Sequence, residues 1–198
     1  MKFIYCLLLA FFNTIILHSQ NCNTLDNKSF FKSIKFGNQI PDELFLCSKI
    51  QKNTLFRVEY DSLNQHCKKK YSDLFKFLTV PYSFLQISRT QKGKISSVGL
   101  YSFFDDNRGK TYEPPANFIN TYNKLISLHG KPTRIEEPTA TDSLFIKELG
   151  MSKLVAWECE NIFLTLRVRY GAASKVLNIL EIQIMDRSFD IPETVENY

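Results

Sequence analysis

The chain has 198 residues, 44% hydrophobic and 23% charged, with 25 basic against 20 acidic residues and a formal net charge of +5. Its apolar content is too high for a disordered chain, and the small basic excess is too dispersed for a nucleic-acid-binding surface. No repeat or low-complexity tract divides it, so one domain is expected.

Phe3 to Phe12 is a ten-residue apolar run behind Lys2, broken by Asn13-Thr14 and ended by His18-Ser19-Gln20. A membrane-spanning helix needs about 20 consecutive apolar residues, so this stretch reads instead as a cleaved export leader. Ser19 supplies the small side chain a leader peptidase requires, which places the cut after Ser19 or Gln20. Residues 1–20 are then removed, and 198 − 20 = 178 residues remain as a single globular domain with charge +5 − 1 = +4, because only Lys2 is lost. The destination is periplasmic or extracellular, in a bacterial setting.

Cys22 stands just past the cut, where an acyl chain would anchor the protein to a membrane surface. Gln20 and Asn21 stand where lipoprotein signals place small residues, which argues against that anchor. Cys22, Cys47, Cys67 and Cys159 survive cleavage, an even number in an oxidising compartment, so two disulfides in three connectivities are open. Cys47 with Cys67 is the favoured pair because the two are closest in sequence.

In chain order, Phe31 to Phe36 alternates apolar and polar residues and stops at Gly37-Asn38, a strand pattern. Pro41-Asp42-Glu43 opens a short helix to about Cys47. Leu55 to Tyr60 alternates again, and Gln65 to Phe77 reads as a helix carrying the Lys68-Lys69-Lys70 triplet on a solvated face. A hairpin spans Tyr82 to Phe104 about a Lys92-Gly93 turn, setting Ile87 against Val98 and Leu85 against Leu100. The same register pairs Phe84 with Tyr101 and Tyr82 with Phe103 on the opposite face.

Pro115 to His129 has helical apolar spacing closed by Gly130 and Pro132, and a second short helix is expected from Asp142 to Leu149. The C-terminal part reads as a meander of Leu154 to Cys159, Ile162 to Tyr170 and Val176 to Asp186. Glu160-Asn161 forms its first turn and sets Trp157 against Leu164 and Val155 against Leu166. A loop from Gly171 to Lys175 then sets Leu166 against Leu180 and Leu164 against Ile182. Thr165, Arg167, Arg169, Glu181 and Gln183 take the other face, which should be wet. The expected architecture is α+β, an antiparallel sheet made of hairpin 82–104 and meander 154–186, packed against a few helices with the main one at about 115–129.

Catalytic and metal-binding patterns fail on physical grounds. Phe104 to Thr111, "FDDNRGKT", imitates a phosphate-binding loop, but Phe104 replaces the first glycine and Asp105-Asp106 repel phosphate. Gly109 and Lys110 likewise break a calcium loop. The mature chain has only His66 and His129, with no repeating ligand spacing, so no metal and no cofactor are expected. His66 adjoins Cys67, but sequence neighbours point apart, and His129 suits the negative end of its helix. Ser96-Ser97-Val98-Gly99 lacks the leading glycine of a nucleophile elbow, and nothing marks Glu136-Glu137 or Glu158 and Glu160 as a catalytic acid pair.

A non-enzymatic binding or structural role at the envelope or in the secreted fraction is therefore the expectation, the partner being unidentified. The candidate surface is aromatic: Tyr82, Phe84, Tyr101 and Phe103, extended by Asp105, Arg108 and Tyr112. The competing expectation for these rings is a second core layer under the Gln65 to Phe77 segment. The alternative function is a secreted inhibitor or immunity-type protein presenting the loop from Asp105 to Pro115. A hydrolase without a recognisable motif ranks third.

Overall fold

The computed structural model describes residues 22–28, 30–47, 50–52, 55–104, 115–136, 151–170 and 178–189. The expected helix from Asp142 to Leu149 lies outside them, as do the expected leader, residues 1–20, and the 105–114 segment.

Alternating side chains build the sheet. Its strands are β1 (Ile50–Lys52), β2 (Leu55–Glu59), β5 (Phe84–Arg89), β6 (Ile95–Phe104), β7 (Arg134–Glu136), β8 (Met151–Glu158), β9 (Ile162–Tyr170) and β10 (Asn178–Asp186), while β3 (Lys76–Phe77) and β4 (Val80–Pro81) form a separate small hairpin. The eight-stranded sheet is antiparallel throughout, in the order β1-β2-β5-β6-β10-β9-β8-β7.

Register aligns two apolar rows across six of these strands. One row runs Phe56, Ile87, Val98, Ile184, Leu164, Trp157, and the next runs Val58, Leu85, Leu100, Ile182, Leu166, Val155. All twelve side chains are buried. A dry surface this wide, about 24 Å at the usual strand spacing, must be covered.

The cover comes from α1 (Asn23–Asp26), α2 (Asp42–Leu46), α3 (Gln65–Tyr71), the 3-10 turn Ser72–Phe75 and α4 (Ala116–His129). Phe118, Thr121, Leu125 and His129 form the buried stripe of α4, and Tyr122 lies 6.3 Å from the Trp157 ring. Gly130, at φ 79°, ends the helix with its N–H on the Ile126 carbonyl. Its own carbonyl accepts the Trp157 indole N–H at 3.0 Å, so the C-cap is tied to the core.

The hairpin pairs Phe84 with Tyr101, Leu85 with Leu100 and Ile87 with Val98 as expected. Its turn is one residue longer than expected. Gly93 N–H donates to Thr90 O, Thr90 N–H donates to Lys94 O, and a register shift after Ser88 absorbs the extra residue.

In the meander, Trp157 opposes Leu164 and Val155 opposes Leu166, but Leu166 meets Ile182 and Leu164 meets Ile184. The second register is therefore two residues from the one expected, because β10 begins at Asn178 rather than Val176. A two-residue slip preserves the alternation and moves no side chain to the wrong face.

Two other expectations are corrected. Residues 31–36 form turns rather than a strand. Asp73 takes the donors that a strand partner would have taken: its carboxylate accepts Lys32 N–H, Ser33 N–H and the Ser33 hydroxyl. The helix from Gln65 stops at Tyr71, and the chain tightens into the 3-10 turn before Lys76–Phe77 becomes a strand.

Two disulfides close the fold. Cys47–Cys67, the pair favoured by proximity, has its Cα atoms 6.1 Å apart, and Cys22–Cys159 has them 5.5 Å apart. A Cys22 sulfur bonded to Cys159 cannot also carry a thioether, so the bridge and a lipid on Cys22 are mutually exclusive. Asp26 Oδ1 accepts Asn161 N–H at 2.8 Å. Lys28 Nζ reaches both Asp186 carboxylate oxygens at 2.8 Å. Together these contacts strap the N-terminal segment onto the ends of β8, β9 and β10.

Loop-closure entropy predicts that replacing Cys22 and Cys159 by serine, which opens a 137-residue separation, destabilises by about 5 kcal/mol, against about 3 kcal/mol for the 20-residue separation of Cys47 and Cys67. Chemical denaturation of the two double variants checks the order.

Burial alone would raise the Asp186 carboxyl, but Lys28 and the Ser188 hydroxyl and N–H outweigh it and hold it below its ordinary 3.8. A depressed carboxyl stabilises the fold above the unfolded value and loses that contribution as pH falls through the folded one. Lys28→Met should therefore cost on the order of 2 to 4 kcal/mol at neutral pH. Asp186→Asn should be less sensitive to acid below pH 3.8 than the wild type, as read by denaturation at stepped pH.

Candidate functional site

The face of the sheet away from the helices is built by the other half of each strand. One row across it reads Glu59, Phe84, Tyr101, Glu181, Arg167, Leu154, Glu136, and the next reads Arg57, Gln86, Gly99, Gln183, Thr165, Ala156, Arg134. Phe103 and Ile179 pair beside the first row.

Three of the predicted residues meet here. Phe84 and Tyr101 stack with ring centres 4.9 Å apart, and Phe103 stands edge-on to them at 5.1 and 6.0 Å. Phe84 and Tyr101 are half-buried, while Phe103 is 40% exposed. Edge-to-face and offset rings of this kind hold one another by about 0.5–1.5 kcal/mol per pair beyond their area, so the cluster is pre-ordered. The Arg57 guanidinium lies 5.7 Å from the Tyr101 ring centre and donates to Gln86 Oε1 at 2.8 Å. Arg169 donates to Glu181 Oε2 at 3.2 Å.

Tyr82 does not belong to this cluster. The chain leaves β4 and enters β5 between Tyr82 and Phe84, and Tyr82 N–H donates to Phe75 O. Its side chain is buried on the helix side, 3% exposed. Tyr82 is thus part of the main core and not of a second layer on the aromatic face, and its expected pairing with Phe103 does not form. Burial pushes its phenol up to about 12, and the nearby Thr121 hydroxyl only partly offsets this. No hydrogen bond of acceptable geometry closes between them, and both oxygens are buried without a partner.

Asp105, Arg108 and Tyr112 lie outside the described residues, and so does most of the Asp105 to Pro115 loop. The arginines and glutamines around the rings were not singled out from sequence as site residues. The signal that finds them is the same alternation, carried across five strands by register.

The remaining chemistry is dispersed. His66 Nε2 lies 2.7 Å from Glu43 Oε1, and Lys70 also binds the Glu43 carboxylate. Lys70 and then His66 hold that carboxyl below its ordinary value. All three side chains are substantially solvent-exposed. His129 is buried in the last turn of α4, on a different element from His66. Lys68 lies over the Tyr60 ring at 5.3 Å and Lys70 over the Tyr71 ring at 5.6 Å. Glu136 pairs with Arg134.

Among the described residues, Cys22, Asp26 and Cys159 gather ligand atoms within 4.8 Å. Both sulfurs belong to the disulfide, however, which leaves a single carboxylate for a metal.

The fold and this surface define a class: an α+β domain built on one wide antiparallel sheet, closed by disulfides, with helices on one face and an aromatic cluster ringed by arginine and amide groups on the other. No family model, curated protein or solved structure matches the chain.

Tyr82→Phe removes a buried hydroxyl that has no partner, so at neutral pH it should be neutral or stabilising by about 1 kcal/mol. A raised phenol pKa stabilises fully below the unfolded value of 10.0 and is lost as pH rises towards about 12. The variant should therefore lose less stability than the wild type across that alkaline window, a comparison read by urea denaturation at each pH.

Proposed function

We propose that the chain is an exported, non-catalytic binding domain of the cell envelope or secreted fraction, which engages its partner through the outer face of the sheet. The observation that carries this reading is the Phe84, Tyr101 and Phe103 cluster, held in mutual contact on the face away from the helices. Rigid rings on a rigid sheet gain contact area at little entropic cost. Export is supported by the leader pattern of residues 1–20 and by two disulfides, which persist in oxidising compartments. No helix among the described residues is long and apolar enough to cross a membrane.

The test has two arms. Replacing Tyr101 and Phe103 by serine should lower the melting temperature by only a few degrees, as expected for surface positions; a collapse of the fold would place the rings in the core. A photo-activatable residue at position 103, in cells making the protein, should crosslink to a discrete partner, whereas one at Leu46, 85% exposed at the end of α2, should not. Absence of any crosslink from position 103 would overturn the reading. Intact mass of the recovered protein checks export: a start after Ser19 or Gln20, and four hydrogens lost to the two bridges.

A further inference from the structure

We infer that the Cys22–Cys159 bridge is a redox latch: a dithiol reductant opens it selectively, and residues 22–27 then swing away from the sheet about Lys28 while the rest of the domain stays folded. The device lies at the ends of β8, β9 and β10 and uses no residue of the aromatic face.

Access sets the selectivity. Cys47, Cys67 and Cys159 are buried, and Cys22 alone of the four is half-buried. Thiol–disulfide exchange runs through whichever sulfur an incoming thiolate can reach, so it starts at Cys22, whereas the Cys47–Cys67 bridge is shielded at both ends. In the first step a thiolate of the reductant attacks Cys22 Sγ, the bond to Cys159 breaks, and its electron pair leaves on Cys159. The second thiolate of the reductant then displaces Cys22 and closes the reductant's own disulfide, and the two protons lost by the dithiol end on Cys22 and Cys159. The Arg187 guanidinium donates to the Cys159 carbonyl at 2.7 Å, so a cation stands at the residue whose sulfur departs, and a sulfur held towards thiolate leaves faster.

Reduction then favours opening. Two unbonded sulfurs must move apart to van der Waals distance, and Cys159 is fixed in the core, so the Cys22 side gives way. The Asp26 carboxylate lies within 4.8 Å of both sulfurs. A neutral bridge tolerates that neighbour, but a Cys159 thiolate repels it. The strap is also weakly built. Its helix, α1, is a single turn of four residues whose N-cap, Cys22, makes no side-chain capping bond, and such a turn does not persist by itself. Lys28 closes it at φ 57°, a left-handed conformation that side chains adopt at a cost.

Against opening stand the burial of Leu25, on the helix that packs beside α4, and the hydrogen bond from Asn161 N–H to Asp26. A segment held by so few contacts opens locally, well short of global unfolding. Lys28 remains bound to both Asp186 oxygens at 2.8 Å and acts as the pivot. Opening withdraws Leu25 from beside α4 and uncovers the Asn161 N–H of the β8–β9 turn, so the oxidised and reduced proteins present different surfaces at this end.

Dithiothreitol titrated onto the oxidised protein under native conditions, quenched with N-ethylmaleimide and read by peptide mass, should label Cys22 and Cys159 at least about tenfold faster than Cys47 and Cys67. Hydrogen exchange on the protein with only the first bridge reduced should quicken by about tenfold or more in residues 22–28 and 159–161, with β5, β6, β9 and β10 unchanged, and oxidised glutathione should reverse it. Cys22→Ser combined with Cys159→Ser should show the same exchange pattern without reductant. Equal labelling rates, or Cys47 and Cys67 labelled first, overturn the inference. A reduced strap that exchanges no faster than the oxidised one also overturns it, because the bridge is then a staple, and so does protection lost across the whole sheet, because reduction is then unfolding.

Discussion

The structure depends on two apolar rows crossing six antiparallel strands, from Phe56 and Val58 on one side to Trp157 and Val155 on the other. Twelve side chains buried at about 1.5–3 kcal/mol apiece are a large favourable contribution to the fold. They contribute only if one face of the sheet is dry from end to end. Every other element answers that requirement: α4 brings Phe118 and Leu125, the 3-10 turn brings Leu74 and Phe75, and the irregular 31–40 segment brings Phe31, Ile34 and Ile40, all buried.

The cover is tied down by polar contacts at its margins. Lysine at position 28 closes on Asp186, Asp26 on the Asn161 amide, and Asp73 on the 32–33 backbone. Such contacts specify geometry more than they add stability. The Cys22–Cys159 bridge joins a segment without a strand of its own to the β8–β9 turn. Without that link, α1 would rest on one turn of helix and a few side chains, too little for independent stability. Lys124 does similar work on α4: its ammonium binds Leu78 O and the Thr79 hydroxyl, holding a two-residue turn whose φ values, 48° and 73°, are costly for side-chain-bearing residues.

The outer face follows from the same register. Because side chains alternate with a period of two, the pairings that align the dry rows also align Glu59, Phe84, Tyr101, Glu181 and Arg167 on the other side. The aromatic cluster is therefore held in place by the core beneath it, and its rings need no loop to position them. The small residues of the row beside it, Gly99, Thr165 and Ala156, are buried among their larger neighbours.

Alternation and turn chemistry made much of this legible from sequence: strand Leu55–Glu59, the Phe84 to Tyr101 pairing, the Ala116–His129 helix with its Gly130 cap, and the Trp157 to Leu164 turn. These are local or nearly local facts, set by residues a few positions apart. The Cys47–Cys67 bridge was legible for the same reason. Hidden from local pattern were the joining of β6 to β10, the Cys22–Cys159 bridge across 137 residues, the two-residue shift between β9 and β10, and the inward turn of Tyr82. Each is decided by how distant segments share one dry surface. The site divides along the same line, since the rings announce themselves on two neighbouring strands, whereas their arginine and glutamine neighbours become a surface only when five strands lie side by side. Local propensity chooses strand or helix within a few residues; only the burial of the whole face decides which strands are neighbours, and therefore which side chains share a site.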